Sequence, residues 1–330
     1  MTDDIRTHTT SAHPAALSSR VVAVVVSYNR AQLLEACLDA LAAQDRRPDA
    51  VIVVDNASTD GAADIAARHE IGADVLRLRR NVGGAGGFAA GIARALTRHD
   101  ADWVWVMDDD TIPQPGALGA LLRSLESSPV RLSVLSSRAV WTDGREHPMN
   151  RSRVRWDASR AQKRDAALAD GFPIRTASYV SALLNGEDVR RLGLPLADYF
   201  IWSDDFEHTG RLLRHGRGIR VLASIVEHRT ARFGNAQADP GSRFYFDVRN
   251  RIWALLRSGS FSWPERILFG GATALGWMRL LIRTRFSLLA TGMHGVLDAL
   301  RKRPRPSAKV LQADPEAAAD VRQIERAAAR

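Results

Sequence analysis

Cysteine is almost missing from this sequence: Cys37 is the one such residue among 330. That excludes an internal disulfide framework. Its neighbours Leu33, Leu34, Leu38 and Leu41 recur at helical spacing, which marks a core thiol and not a nucleophile. A continuous apolar run long enough to span a bilayer is also missing; Ile267–Met278 comes nearest and is then broken by Arg279, Arg283 and Arg285. The first twenty residues lack the apolar core of a signal peptide and are rich in Thr, Ser, Ala and His. Disorder over residues 1–19 and a cytoplasmic protein are the expectations. Aromatic residues make up 7% of the chain and are not interleaved with the basic ones as a stacking platform. Nucleic acid is therefore not an expected partner.

What is present is ample. A composition of 45% hydrophobic and 25% charged residues is that of a globular protein with a sizeable core, as one large domain or two small ones. The formal net charge of +9 is unevenly spread. Between Arg243 and Arg305 twelve Lys/Arg face only Asp247, Glu265 and Asp298, so the remainder is nearly neutral.

The most informative stretch is Trp103–Thr111, W-V-W-V-M-D-D-D-T, which reads as a buried strand delivering three adjacent carboxylates at its end. Asp108, Asp109 and Asp110 repel one another, so either the turn is solvated or a divalent cation compensates. Mg²⁺ and Mn²⁺ favour carboxylate oxygen and need few protein ligands when phosphates supply the rest. The carboxyl end of a strand is where open α/β sheets bind ligands.

Upstream, strands are predicted at Val21–Val26, Val51–Val54 and Val75–Leu78, with helices at Ala31–Ala43, Ala62–His69 and from Phe88 to about Arg98. This alternation predicts a parallel α/β sheet whose loops gather at one edge. Gly84-Ala85-Gly86-Gly87-Phe88-Ala89 fits the loose dinucleotide fingerprint, so a Rossmann oxidoreductase is a rival reading. Against it, the glycines follow the third strand, and the acid at about the expected ribose-binding distance, Asp102, precedes the next strand instead of ending it. Glycines opening a helix also suit a diphosphate held by backbone N–H groups.

Val25-Val26-Ser27-Tyr28-Asn29-Arg30, Val53–Gly61, Asn81 with its glycine run, and Asp108-Asp109-Asp110 occur in the order used by family-2 inverting glycosyltransferases. The sequence over residues 20–257 resembles that family, and N-V-G-G-A-G-G-F with A-D-W-V-W resembles its actinobacterial galactofuranosyltransferases and rhamnosyltransferases of cell-wall assembly. The resemblance implies an α/β GT-A fold: a Rossmann-like nucleotide-sugar-binding sheet with helices on both faces, divided into halves 20–128 and 129–257. It implies a UDP- or dTDP-sugar donor, UDP-galactofuranose first and dTDP-rhamnose second, with Asp55 on the base and Ser27, Tyr28 and Arg30 lining its pocket. Asn81, Gly83 and Gly84 would sit by ribose or diphosphate, with Asp108 and Asp109 beside the nucleotide. The metal would be held by Asp108, Asp110 and His228; imidazole suits Mn²⁺ better than Mg²⁺.

In the second half, Leu132–Ser136, Arg138–Trp141 and Ile174–Leu184 have strand character, and Asp143–Arg164 reads as a surface loop or flap near the site. Tyr199–Trp202 reads as an aromatic strand ending in Asp204 and Asp205, which open a helix. Trp202 could offer an apolar face to a sugar. The resemblance makes Asp205 the catalytic base and Asp204, with Trp202, an acceptor-binding partner. Phe244 opens a long helix whose Arg249 either approaches the diphosphate or pairs on the domain surface.

Residues 258–305 form a basic, amphipathic helical extension: Ile282, Phe286, Leu289, Met293, Val296 and Leu300 recur at helical spacing beside cations. This suits peripheral attachment to the inner face of the cytoplasmic membrane, the alternative being a helical pair packed on the domain or on a second subunit of a homo-oligomer. Residues 306–330 read as a frayed helix or disorder. The expected function is metal-dependent, inverting transfer of a sugar to a lipid-linked glycan. A non-catalytic nucleotide-sugar- or glycan-binding protein of the same fold is the competing class.

Overall fold

The computed structural model describes residues 18–233 and 240–329; of the disorder expected over 1–19, residues 1–17 lie outside the described residues. The first half alternates as the sequence implies: β1 (Val21–Ser27), α1 (Ala31–Ala42), β2 (Ala50–Asp55), α2 (Ala62–Arg68), β3 (Asp74–Arg77), α3 (Gly83–Arg98) and β4 (Trp103–Asp108). Next come β5 (Thr111–Pro113), α4 (Ala117–Ser127), β6 (Val134–Val140), β7 (Arg153–Val154), α5 (Arg160–Leu168) and β8 (Gly171–Thr176). β9 (Ala182–Asn185), α6 (Gly186–Leu192), α7 (Asp204–Leu212) and β10 (Gly218–His228) complete the sheet. The chain then continues through α8 (Phe244–Leu256), α9 (Trp263–Arg283), α10 (Leu289–Arg301), α11 (Ser307–Val310) and α12 (Pro315–Ala328).

The strands form one sheet in the order β3-β2-β1-β4-β9-β6-β10-β8-β7, with β5 on β10. Every residue of β1 is buried, as a β-branched run between two helical layers requires. Val22, Val24 and Val26 face Phe88 and Ile92 of α3, while Val21, Ala23 and Val25 face Leu34 and Leu38 of α1 and Leu121 of α4. Parallel pairing sets Val26 beside both Val54 and Asp108, so the ends of β1, β2 and β4 open onto one edge. The sheet is mixed where strand–helix alternation predicts a parallel one, because the chain turns back before β9, which runs antiparallel to β4 and β6.

The glycine run lies inside α3, not ahead of it. A Cβ on Gly87 would stand 2.5 Å from Val26 Cγ1, and one on Gly91 2.4 Å from Val24 Cγ1. These glycines therefore let the helix lie against β1. Each costs about 1 kcal/mol of helix propensity relative to alanine, a cost accepted for that close approach.

Several expectations need correction. Leu132–Ser136 and Arg138–Trp141 merge into the single strand β6, and Ile174–Leu184 divides into β8 and β9. The Asp143–Arg164 span holds β7 and the start of α5, the latter closed by a Ser159–Gln162 capping box. Tyr199–Trp202 is not a strand but a turn, with φ of 64° at Phe200, 66° at Trp202 and 67° at Ser203.

Residues 306–330, expected frayed or disordered, instead carry α11 and α12. Ala317, Ala318, Val321 and Ile324 are buried in the core layer that includes α3. Arg94 Nη1 meets Glu316 at 2.7 Å and Arg98 Nε meets Asp320 at 3.0 Å. The alanine-rich face suits close packing, and the charges that read as solvated find arginine partners. In the basic extension α10 docks on α8, where Gly292 and Gly295 admit Phe244 and Tyr245. α9 buries only Glu265 and Phe269 among its residues.

Candidate active site

β4 delivers Asp108 at its end, and β5 turns back to pair with β10, bringing Thr111 opposite His228. That ladder carries the distant histidine to the acids. One ligand atom from each of Asp108, Asp110 and His228 lies within 4.8 Å of the others, and His228 Nε2 is 3.1 Å from Asp110 Oδ1. Asp110 Oδ1 is buried and, apart from the His228 ring nitrogen beside it, has no polar partner among the described residues. Two carboxylates and an imidazole with a free acceptor oxygen fit Mg²⁺ or Mn²⁺. Asn150 Oδ1 lies 2.9 Å from His228 Nδ1, so Nδ1–H can donate there and leave the Nε2 lone pair for a cation.

The charge balance agrees. Burial, followed by the charges of Asp110 and Asp109, pushes the Asp108 carboxyl well up. Burial raises Asp109 to about 6 against the opposing Arg30 charge. Burial also opposes ionisation of Asp110, yet His228 and Arg30 together hold it below the usual carboxylate range. At ~4 Å, like charges repel by about 1 kcal/mol in water and about 4 kcal/mol near a protein surface, which a divalent cation would reverse.

Arg30 was expected to line the base pocket; its guanidinium instead pairs with Asp110 and lies 3.4 Å from Asp109. Its partner in that expectation, Tyr28, is 45% exposed and can offer its ring, while its N–H donates to Asp109 Oδ2 at 3.1 Å. Ser27 and Asp55 are buried at the ends of β1 and β2, and Asp55 accepts the Ser58 N–H at 3.2 Å. Asn81 Oδ1 accepts the Gly83 N–H at 2.7 Å. Asn56, not singled out from sequence, ties that loop to β2 by accepting from Val82 N–H at 3.0 Å and donating to Gly83 O at 2.9 Å.

Gly83 is buried, at φ +74°, with the Phe200 carbonyl where its Cβ would stand; Gly84 is half-buried and has room around it. The Ala85 N–H donates to that carbonyl at 3.2 Å. The glycine loop thus supports the aromatic turn that leads to the second acidic pair.

That pair opens α7, whose first backbone N–H groups favour negative charge. Asp204 is buried and Asp205 more open. Burial raises both carboxyls; for Asp204 the neighbouring Asp205 adds to it, while for Asp205 the Phe206 N–H, at 2.6 Å, and Arg251 act the other way. The charge of Asp204 also reaches Asp108, so the two acidic clusters lie within electrostatic range of each other.

The three left-handed residues before the pair are a strained approach that must be held from outside. Asn250 Nδ2 is within 2.8 Å of Tyr199 O, 2.8 Å of Ile201 O and 2.9 Å of Trp202 O. Arg249 Nη2 donates to Asp198 O at 2.7 Å. Arg249 therefore braces the turn, where either the diphosphate or a surface pair was expected. Trp202 is half-buried beside the acids.

Comparison with known proteins identifies the lineage. The family described as Glycosyl transferase family 2 matches residues 22–186. Galactofuranosyltransferase GlfT1 of Mycobacterium tuberculosis is 33% identical over 286 residues, 81% of this chain and 91% of its own length. GlfT1 of Mycolicibacterium smegmatis is 33% identical over 255 residues, 72% and 84% of the two chains. S. aureus TarS 1–349 in complex with UDP superposes with a TM-score of 0.57 at 14% identity, over 93% of this chain and 90% of its own. Mannosyltransferase PcManGT from Pyrobaculum calidifontis, in complex with GDP-Man and Mn²⁺, gives 0.51 at 18%, over 94% and 87%. The two solved structures establish the GT-A fold, and with the sequence relatives they lead to one conclusion: this chain belongs to glycosyltransferase family 2 and is a glycosyltransferase.

Proposed function

We propose that the chain transfers galactofuranose from UDP-galactofuranose to a lipid-linked glycan in cell-wall or polysaccharide assembly, inverting the anomeric carbon. What supports this reading is the presence of two acidic clusters, Asp108/Asp110/His228 with ligand atoms within 4.8 Å of one another and Asp204/Asp205 opening α7 within electrostatic range of Asp108. A binding module of the same fold needs the first and has no use for the second. Identity with two galactofuranosyltransferases supports the choice of donor.

Asp108, Asp110 and His228 would hold Mn²⁺ or Mg²⁺, which neutralises the departing diphosphate when bound. Tyr28 offers a ring to the base, Asp55 its carboxylate, and Asn81 and the N-terminal turn of α3 adjoin ribose and phosphate. Asp109 stays with Arg30 beside the metal ligands. Asp205, the more open of its pair, takes the proton from the acceptor hydroxyl as that oxygen attacks; Asp204 and Trp202 orient the acceptor. With no enzyme nucleophile intervening, a single displacement inverts the centre.

No helix among the described residues is long and apolar enough to cross a membrane. α9, α10 and the turn between them nonetheless leave Trp263, Ile267, Met278, Ile282, Phe286 and Leu300 at least half exposed, beside Arg279, Arg285, Arg301 and Arg303. We read this face as lying on an anionic bilayer surface at the inner side of the cytoplasmic membrane, where a lipid-linked acceptor would be presented.

The test is transfer from a panel of UDP-galactofuranose, dTDP-rhamnose and UDP-galactopyranose with Mn²⁺, to a synthetic lipid-linked disaccharide acceptor, with the product anomer read by NMR. Inverted galactofuranosyl product is expected. Transfer of rhamnose alone would move the donor assignment, and tight UDP binding with no transfer from any donor would favour the binding-protein class.

A further inference from the structure

Among the described residues, several buried or half-buried arginines have a carboxylate or carbonyl partner: Arg175 meets Glu265, Arg211 meets Glu207, and Arg249 donates to backbone carbonyls. Two guanidiniums beside Asp205 do not. Arg251, half-buried on α8, sets its Cζ 4.1 Å from the Phe206 ring centroid and leaves a buried Nε with no acceptor. Arg153, exposed on β7, sets its Cζ 5.4 Å from the same ring and 5.5 Å from that of Phe269 on α9. Neither makes an ion pair or side-chain hydrogen bond among the described residues. Asp247, one turn earlier on α8, accepts the Trp277 indole N–H at 2.7 Å.

Burial and then the charge of Arg251 lower the Arg153 guanidinium, with Asp205 opposing; burial lowers Arg251, with Asp247 and Asp205 opposing. Two guanidiniums held over the one Phe206 ring, neither in an ion pair among the described residues, form an electropositive ledge. Its place matters. Arg30 is the arginine that pairs with the metal-site acids, whereas Arg153 and Arg251 lie over Phe206, the residue after Asp205, and Arg153 also over Phe269 of α9. An anion here would adjoin the residue that follows Asp205, and α9, which supplies Phe269, carries exposed apolar residues such as Ile267 and Leu268 beside it. Guanidinium forks favour phosphate oxygens.

We propose that Arg153 and Arg251 bind a phosphate ester carrying an apolar chain, namely the phosphate that joins the acceptor glycan to its lipid. The assignment rests on the lipid-linked acceptor proposed above, and it places the acceptor's phosphate behind Asp205 so that the attached sugar projects toward the donor.

The test is calorimetric titration of the full chain with decyl diphosphate, with Mn²⁺ and UDP saturating so that the donor site is filled. Wild type should bind, and Arg153→Gln and Arg251→Gln should each weaken binding about tenfold or more, as loss of a charge-assisted contact predicts, with Mn²⁺–UDP affinity unchanged. Arg153 is exposed, so its variant tests the site without threatening the fold. Unaltered flotation of both variants with phosphatidylglycerol vesicles is expected of an acceptor site. Equal decyl diphosphate binding by wild type and variants would overturn the proposal, as would competition between decyl diphosphate and UDP. Lost vesicle flotation with decyl diphosphate binding intact would assign the arginines to bulk lipid headgroups and overturn it too. No step requires turnover, so a wrong donor sugar and a wrong phosphate site give different failures.

Discussion

His228 reaches Asp110 through one nitrogen and Asn150 through the other: Nε2 is 3.1 Å from Asp110 Oδ1, and Nδ1 is 2.9 Å from Asn150 Oδ1. Asn150 thereby fixes which nitrogen faces the acids. Asn150→Ala should raise the Mn²⁺ concentration needed for half-maximal UDP binding by about 10- to 100-fold, the usual range for losing an outer-shell partner. His228→Ala should cost at least as much. Calorimetry of UDP with and without Mn²⁺ checks both, and metal removal by EDTA should reproduce the His228→Ala result in wild type.

Asn250 belongs to neither acidic cluster, yet it holds the turn that leads into Asp204 and Asp205. Asn250→Ala releases up to three carbonyls, for a stability loss of about 1–3 kcal/mol. Because the released turn also positions the base, kcat should fall while donor KM stays near its wild-type value. Denaturant titration and steady-state kinetics together separate the two effects.

The acidic side of the pH–rate profile offers another check. Asp205 acts as base only when ionised, and burial raises its carboxyl despite Arg251. Activity should therefore be lost, as pH falls, above the ordinary aspartate value of about 3.9. Arg251→Gln removes a charge that favours the carboxylate, so it should move this limb to higher pH.

The apolar face of α9 and α10 should govern vesicle attachment. A triple replacement of Ile267, Met278 and Ile282 by Ser, all at least 57% exposed, should reduce flotation with phosphatidylglycerol vesicles and leave Tm nearly unchanged. Unchanged flotation would instead make this face a surface for another protein copy.

The nucleotide-binding half was legible because its signals are local. Val21–Val26 has only one way to be buried, and each strand announces its end with polar or glycine residues. The glycine run was legible as a helix opening, though its reason, contact of Gly87 and Gly91 with Val26 and Val24, depends on a strand distant in sequence. The Tyr199–Trp202 turn was misread for the same kind of reason: aromatic residues favour strands, and the Asn250 amide that bends this stretch lies on α8. Residues 315–328 look like a solvated alanine-rich segment until Arg94 and Arg98 are opposite Glu316 and Asp320. His228 was singled out by resemblance; the β5–β10 ladder supplies its physical cause.

The most direct test of glycosyl transfer by two converging acidic clusters is kcat of Asp205→Asn, measured beside its affinity for UDP with Mn²⁺. Turnover should fall by about 10²-fold or more, the scale of lost acid–base catalysis, with nucleotide affinity retained. Turnover within a few-fold of wild type would contradict the account.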